Sequence, residues 1–458
     1  MTQVQHAAAP SPDTSDASGA PQPAHLSTFG DAPWQQLSLL TKGLPLLPGE
    51  TSAHARDISA RDLNLLAGDL PLPAAVLKDS ALEHNSRWMR AFLARHDVAL
   101  APHGKTTMSP ALFHRQIADG AWGITAASVQ QAAVMQAFGI RRVLIANQVG
   151  DPVAMRWCFE ALRADPGFAL YVLVDSLEGV ARLDRIAREV PSPRPLSLLV
   201  ELGVPGGRTG CRTIDAGLDV ARAVAAAAPR LVLAGVEGYE GAVPGHDAAS
   251  KEQAIRDFVA AMGELAKRCA QERLFAADPV LLTAGGSAFF DLVTGLPRTL
   301  GDRRTLVLLR SGCYLTFDDG YYRQLWSRLA ERTPGIAGLG EPLRSALEIW
   351  SSVQSVPEPG LAILTMGKRD VSHDLDLPFP RWRVHEGSRD LQPAPASWRI
   401  EALNDQHAFL RGDPDAMPCV GERIGCAISH PCTTFDKWRT VLIVDDGYTV
   451  VDAVSTWF

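Results

Sequence analysis

The residues best suited to chemistry lie in one short turn, Pro-His-Gly-Lys-Thr at residues 102–106. An apolar run at 98–101 precedes the turn, which is the pattern of a buried strand that ends in a polar loop. Lys105 is the candidate nucleophile of this segment, because an amine at the mouth of an apolar pocket can lose its proton by desolvation and can then condense with a carbonyl group to form a Schiff base. An ordinary solvated lysine is the alternative that the local sequence leaves open.

Two glycine-bearing segments follow later apolar runs and could bind a phosphate group. The first contains Gly285, Gly286 and Ser287, and the second contains Ser311 and Gly312. Glycine allows several backbone N–H groups to approach one anion closely. An ordinary turn is the alternative interpretation of each segment taken alone.

His430 and Cys432 are candidate metal ligands near the end of the chain. Residues two apart on a strand point to the same face, so a strand at this place would present an imidazole and a thiolate to one ion. Two protein ligands leave coordination positions open, as in catalytic rather than closed structural sites. A buried cysteine beside an ordinary histidine is the alternative.

The spacing of apolar runs between residues 80 and 335 predicts a (β/α)8 barrel of the TIM type. Helix-like stretches separate these runs, which lie at 98–101, 122–125, 143–146, 170–174, 196–202, 231–236, 280–283 and 306–309. In such a barrel the residues after the strands meet at one end, and phosphate often binds after strands seven and eight, where the two glycine-bearing segments fall. Residues 340–458 carry strand-like runs without intervening helices, which predicts a second, all-β domain.

Together the motifs resemble those of the alanine racemase-like (fold type III) enzymes that use pyridoxal phosphate (PLP), in particular the branch of D-threonine aldolase and D-serine dehydratase with its amino-acid deaminase-like members. The resemblance covers about 70–450 and is carried by the lysine turn, by Gly-Gly-Ser at 285–287, by Arg-Ser-Gly-Cys-Tyr at 310–314 and by Ser-His-Pro-Cys at 429–432. It implies that the segment 31–79 joins the β domain, so that the barrel is inserted between the two pieces of that domain.

The resemblance also implies the cofactors and their ligands. PLP would be held on Lys105, and a divalent metal ion (Zn, Mn or Mg) would be held by His430 and Cys432. His407 would lie beside the metal or act as an acid or base. The further residues implied to contact the cofactor are His103, Arg208, Tyr239, Gly285, Gly286, Ser287, Ser311, Gly312 and Tyr314.

Some positions depart from the pattern of the family. Thr107 and Met108 replace the common His-Lys after the lysine motif, and Ser429 stands where relatives often have Asn. The loop that carries Arg208 is longer than usual, so Arg208 could instead pair with Glu201 as a structural clamp. These departures concern subfamily and substrate rather than the cofactor.

The implied function is that of a lyase for D-3-hydroxy amino acids, with two reactions open. Dehydration and deamination of a substrate such as D-serine or D-threonine gives a 2-oxo acid and ammonia, and the deaminase-like segments favour it. Retro-aldol cleavage gives glycine and an aldehyde. A PLP carrier or regulator without turnover is the alternative of another class, and the additional β domain with the metal pair argues against it. Racemization is disfavoured because a racemase-type tyrosine motif is not evident after residue 340.

Composition limits the partners and the compartment. The chain of 458 residues has a formal net charge of -7 and no dense run of Lys or Arg, so neither nucleic acid nor a membrane surface is an expected partner. Its seven cysteines lack paired spacing, which is typical of reduced thiols in the cytoplasm. A signal peptide begins with a basic region, but no Lys or Arg precedes Lys42, so a signal peptide is not expected. Residues 1–30 have the composition of a flexible tail. The expected partners are an amino-acid substrate and, from the resemblance, a second copy of the chain.

Overall fold

The computed structural model describes residues 32, 35–45, 49–333 and 335–458. The predicted tail at 1–30 lies outside these residues. The strands are β1 Gln36–Ser38, β2 Ser52–His54, β3 Ala74–Lys78, β4 Ala99–Leu100, β5 Ile124–Ala126, β6 Arg142–Gln148, β7 Ala169–Val174, β8 Leu196–Leu202, β9 Leu231–Gly238, β10 Val280–Ala284, β11 Thr299–Leu300, β12 Arg303–Leu309, β13 Leu347–Glu358, β14 Leu361–Leu364, β15 Phe379–Val384, β16 Gln392–Pro393, β17 Arg399–Leu403, β18 Ala408–Arg411, β19 Arg423–Ala427, β20 Thr440–Val444 and β21 Val450–Ser455. The helices are α1 Ala55–Ser59, α2 Asp79–His96, α3 Pro110–Ala118, α4 Val129–Ala137, α5 Pro152–Ala164, α6 Leu177–Glu189, α7 Ile214–Ala226, α8 Ala248–Gln271, α9 Phe290–Val293, α10 Tyr321–Arg332 and α11 Cys432–Phe435.

A parallel barrel organises the first part of the fold. Strands β5 to β10 pair in sequence order, and β10 pairs with β12. The last strand, β12, pairs in parallel with β4, and a bridge from His103 to Thr125 joins the end of β4 to β5. Eight parallel strands therefore close on themselves, which confirms the predicted (β/α)8 barrel.

The local sequence explains why strands and helices alternate. Strand β8 is Leu-Ser-Leu-Leu-Val-Glu-Leu and is mostly apolar on both faces. This is expected of a barrel strand, because helices cover one face and the barrel interior covers the other. Helix α6 begins where the Ser176 side chain accepts the backbone N–H of Gly179. Its buried residues Val180, Leu183 and Ala187 repeat at helical spacing and pack against the barrel.

Small and medium apolar side chains fill the interior of the barrel. The cluster consists of Ala101, Leu144, Leu173, Leu199, Ala234, Leu281 and Leu308. A filled interior leaves no passage through the barrel, so chemistry is confined to the loops at the ends of the strands.

The second part of the fold is an antiparallel sheet that includes a strand from before the barrel. Strand β13 pairs with β19 on one side and with β14 on the other. Strand β3 pairs antiparallel with β13 and parallel with β20, so residues 74–78 lie within this sheet. The predicted fold class, a barrel with an all-β domain completed by the N-terminal segment, is confirmed.

One prediction about the β domain is wrong. Strand β19 ends at Ala427, and a short helix, α11, begins at Cys432, so His430 and Cys432 do not lie on a strand. Pro431, between the two, has φ -61° and ψ -43°, the conformation of a helical turn. Proline has no N–H to donate to a sheet and its ring fixes φ, so the chain turns here instead of continuing the strand.

The loop that carries these two residues packs onto the barrel. A Cβ on Gly320, at the start of α10, would lie 2.8 Å from Cα of Ser429, so only glycine allows this approach. Arg381 of β15 pairs with Asp319 of the barrel, and the backbone N–H of Trp457 donates to the carbonyl of Met108 at 2.8 Å. Residues 428–435 therefore cover the end of the barrel that carries the lysine turn.

Among the described helices, we find none with the length and apolarity of a membrane span.

Candidate active site

Lys105 lies in a turn of 3-10 helix, residues 104–106, between β4 and α3. A Cβ on Gly104 would lie 2.5 Å from the Met135 side chain and 2.9 Å from Ile124 and Phe113, so the turn is anchored in the core. Lys105 itself is exposed, and the predicted burial of its amine by the chain is not found. The turn thus presents a primary amine to the open end of the barrel.

Both predicted glycine loops pack against this turn and against each other. A Cβ on Gly312 would lie 2.5 Å from the carbonyl oxygen of His103 and 2.7 Å from Oγ1 of Thr106. The Ser311 hydroxyl donates to the carbonyl of Gly286 at 3.0 Å, and the backbone N–H of Cys313 donates to Ser287 Oγ at 3.2 Å. The structure therefore brings together the loops after the seventh and eighth strands.

Part of the predicted phosphate cradle is already occupied. The backbone N–H of Gly286 donates to the carboxylate of buried Glu240 at 2.6 Å and is not free for an anion. Among the described residues, the backbone N–H groups of Ser287, Ser311 and Gly312 have no partner in the protein. These three backbone donors, rather than a full glycine cradle, are open to an anion.

A buried contact between Arg310 and Glu237, which the sequence motifs did not indicate, lies beneath the loops. Arg310 donates to the Thr283 hydroxyl at 2.9 Å and to the carbonyl of Gly238 at 3.1 Å, and it pairs with Glu237. Burial raises the pKa of Glu237 to about 8, and the Arg310 charge opposes the rise only in part. Oε2 of Glu237 has no hydrogen-bond partner. The signal for this pair was an arginine directly after a buried strand, where it must find a partner.

His103 and the Arg208 loop line the same opening. Burial and the positive charges of Lys105, Arg310 and Arg208 lower the pKa of His103 well below its usual range, so the ring is neutral at pH 7. Its buried Nδ1 has no partner. The guanidinium of Arg208 lies 5.4 Å from the ring centroid of Tyr239, a cation–π arrangement.

Arg208 does not form the clamp considered as its alternative role. Glu201 accepts instead from the Thr209 hydroxyl at 2.8 Å and from the Gln148 amide. Among the described residues, Arg208 has no ion-pair partner, and it is exposed. Its guanidinium is therefore available to a carboxylate or phosphate.

Tyr314, which the resemblance implied as a contact of the cofactor, points away from the glycine loops. Its buried phenol hydrogen-bonds with Gln116 of α3, in the helix layer of the barrel. The two residues begin a turn that is closed by the hydrogen bond from the N–H of Phe317 to the carbonyl of Cys313 at 2.7 Å, and within it Cys313 faces the site whereas Tyr314 faces the helix layer. Tyr322 of α10 lies at the site instead, where its phenol hydrogen-bonds with Ser287 and Cys313.

The thiol of Cys432 reaches the lysine turn from the β domain. Its Sγ lies 3.4 Å from Oγ1 of Thr106 and 3.6 Å from Sγ of Cys313. The hydrogen bond from Cys313 lowers the pKa of Cys432 to about 7, with contributions from Thr106 and the Lys105 charge, although burial opposes the shift. Cys432 of the β domain thus joins Thr106 and Cys313 of the barrel in one cluster of side chains.

His430 is oriented as a metal ligand would be. Its Nδ1 lies 2.6 Å from the Asp374 carboxylate, which also accepts from the Thr433 hydroxyl at 2.7 Å. A carboxylate on one ring nitrogen fixes the ring and leaves the other nitrogen for an ion. In the part of the chain that the structure describes, we find no ready-made group of three or more His, Cys, Asp or Glu side chains that could hold a metal ion.

The structure does not join His407 to this site. The residue lies in the turn between β17 and β18, where its carbonyl accepts the N–H of Asn404 at 2.9 Å. This turn packs on Gly367, because a Cβ there would lie 2.4 Å from the carbonyl oxygen of Asp405. Among the described interactions, none links His407 with Lys105 or with the metal pair.

Comparisons with known proteins show what this chain is similar to. Residues 346–444 match the family model described as "Putative serine dehydratase domain". The chain is 27% identical to D-threonine aldolase of an Arthrobacter species over 379 residues, which are 82% of this chain and 89% of that protein. It is 28% identical over 314 residues to 3-hydroxy-D-aspartate aldolase of Paracoccus denitrificans (strain Pd 1222), with 68% of this chain and 76% of that protein covered.

Three solved structures share the fold. D-threonine aldolase from Filomicrobium marinum superposes with a TM-score of 0.69 at 23% identity, covering 86% of this chain and 97% of that one. D-threo-3-hydroxyaspartate dehydratase from Delftia sp. HT23 gives a TM-score of 0.66 at 20% identity, covering 86% and 99%. An alanine racemase-like protein from Idiomarina loihiensis gives 0.63 at 14% identity, covering 84% and 96%.

Proposed function

Because this chain is a homologue of D-threonine and 3-hydroxy-D-aspartate aldolases and has the alanine racemase-like fold, we propose that it is a PLP- and divalent-metal-dependent lyase for D-3-hydroxy amino acids. Of the two reactions of this class, we propose dehydration and deamination to a 2-oxo acid and ammonia. The observation that carries the proposal is the contact of 3.4 Å between Cys432 Sγ and the hydroxyl of Thr106, the neighbour of Lys105. It puts a candidate metal ligand beside the candidate cofactor lysine.

The residues at the open end of the barrel fit a phosphorylated aldehyde. Lys105 offers an exposed amine, and the unpartnered N–H groups of Ser287, Ser311 and Gly312 offer donors for a phosphate. The orphaned Nδ1 of neutral His103 is a further polar atom without a partner. Bound PLP would supply an aldehyde for the substrate amine and a ring that accepts an electron pair from the α-carbon.

The remaining roles belong to side chains of this chain. The Lys105 amine would be the base for the α-proton of the substrate. Arg208 is available to bind and orient the substrate carboxylate. A divalent ion on Cys432 and His430 would act as a Lewis acid near the β-hydroxyl.

The position of His407 bears on the choice between dehydration and retro-aldol cleavage. Dehydration needs one base at the α-carbon, and Lys105 meets that need. Cleavage of the Cα–Cβ bond needs a base at the β-hydroxyl, and His407, the residue predicted for such a role, lies in the turn between β17 and β18. The aldolase reaction remains the second candidate, because the curated relatives reported above are named aldolases.

The products distinguish the two reactions. We expect the PLP- and metal-loaded protein to release ammonia and a 2-oxo acid from D-serine, D-threonine or D-3-hydroxyaspartate. Glycine and an aldehyde, without 2-oxo acid, would replace our proposal with the aldolase reaction. Turnover of none of the three would favour a PLP carrier.

Two variants separate an enzyme from a carrier. Replacing Cys432 by alanine should abolish most turnover and leave PLP bound, whereas Cys419→Ala, at an exposed cysteine, should change neither. Equal turnover and equal PLP content in the two variants would mean that the protein does not use a metal ion on Cys432.

A further inference from the structure

Cys313 is a thiol that the proposed function leaves without a role. It lies in the loop after the eighth barrel strand, is 4% exposed, and its backbone N–H is held by Ser287. Its Sγ points to the cluster at the domain boundary, 3.6 Å from Sγ of Cys432 and 3.8 Å from the Thr106 hydroxyl. Both cysteines are free thiols.

The separation of the two sulfur atoms matches a shared metal ion. Zinc binds thiolates at about 2.3 Å with tetrahedral angles, so two sulfurs on one ion are about 3.8 Å apart. The observed 3.6 Å is close to that separation and far from the roughly 2.05 Å of a disulfide. The two sulfur atoms therefore already stand close to the separation that one shared ion requires.

A second, independent feature of the same cluster points to a cation. The Asp318 carboxylate is fully buried, and its Oδ1 accepts the backbone N–H groups of Gly320 at 2.9 Å and Tyr322 at 3.0 Å. Its Oδ2 has no hydrogen-bond partner. Gly320, one of the two donors, packs against Ser429, which precedes His430 in the sequence. A buried carboxylate oxygen without a donor is costly unless a positive charge lies near it.

We propose that Cys313 is a metal ligand beside Cys432, so that this chain holds its divalent ion through two thiolates. The inference rests on the proposed function, which supplies the ion. It also narrows the choice of metal to zinc. Thiolates select zinc, whereas magnesium and manganese prefer oxygen ligands. Three donors are not already assembled among the described residues, so the proposal concerns the two thiols alone.

Counting sulfur atoms around the ion tests the proposal directly. Zinc K-edge X-ray absorption of the zinc- and PLP-loaded protein should give two sulfur neighbours at about 2.3 Å. Cys313→Ser and Cys432→Ser should each reduce the count to one, and Cys419→Ser, at an exposed cysteine, should leave it at two. Competition between zinc and manganese gives a second readout, with the preference for zinc at least about tenfold smaller in Cys313→Ser.

The outcomes separate this inference from the proposed function. One sulfur in the unaltered protein, retained in Cys313→Ser and lost in Cys432→Ser, would overturn the role of Cys313 and leave the metal-dependent lyase intact. No sulfur around the ion would overturn both. If Cys313→Ser does not fold, the count in the unaltered protein and in Cys432→Ser still decides, because two and one are expected.

Discussion

Replacing Gly312 by alanine tests whether the loop after the last barrel strand lies against the lysine turn. The added Cβ would stand 2.5 Å from the carbonyl oxygen of His103 and 2.7 Å from Oγ1 of Thr106. Because the carbonyl belongs to the backbone, it cannot rotate away, and the loop must move outward. Overpacking of this kind costs about 1–3 kcal/mol. If the cost falls on the cofactor-bound form, PLP affinity drops about 5- to 150-fold.

The assay is a titration of the metal-loaded protein with PLP, followed by the visible absorbance of the imine. Gly150→Ala is the matched control, since a Cβ at Gly150 meets no atom within 4 Å. Thermal unfolding of the cofactor-free proteins runs in parallel and separates a lost site from a lost fold. Unchanged PLP affinity and stability in Gly312→Ala would refute the packing described for this loop.

Three further outcomes follow from the charges at the site. Thr106→Val should raise the pKa of Cys432 above about 7, because one of the hydrogen bonds that lower it is removed, and the pH dependence of alkylation in the metal-free protein reports the shift. Glu237 has a pKa of about 8 in the fold, above its usual 4.5, so its contribution to stability is present below pH 4.5 and is lost as the pH rises through 8. Unfolding midpoints of Glu237→Gln should therefore depend less on pH over that window than those of the unaltered protein. Arg208→Gln should raise KM for the substrate more than it lowers kcat if the guanidinium binds the carboxylate; an unchanged KM would contradict that role.

The periodicity of the sequence was sufficient to predict the barrel. Eight apolar runs with polar ends can be satisfied by few architectures, and the helices between them carry clear caps and apolar faces. The predicted run at 196–202 coincides with β8, and the run at 231–236 is extended to Gly238 in β9. The same periodicity implied that the lysine turn and both glycine loops lie at one end, as the structure has them.

The direction of side chains within loops could not be predicted from spacing. Cys313 points into the site, and Tyr314 points to the helix layer, although both belong to one motif. Pro431 converts an expected strand into a helical turn, and contacts between distant segments then decide where Cys432 lies. Such contacts, for example that of Gly320 with Ser429, leave no local signal in the sequence.

A crystal structure of the PLP- and metal-loaded protein, with diffraction data collected at the absorption edge of the metal, examines both halves of the site in one measurement. We expect continuous density between PLP and Lys105, and an anomalous peak about 2.3 Å from Sγ of Cys432. A cofactor attached to another lysine, or a metal peak away from Cys432, would contradict the claim that the two domains build one catalytic site.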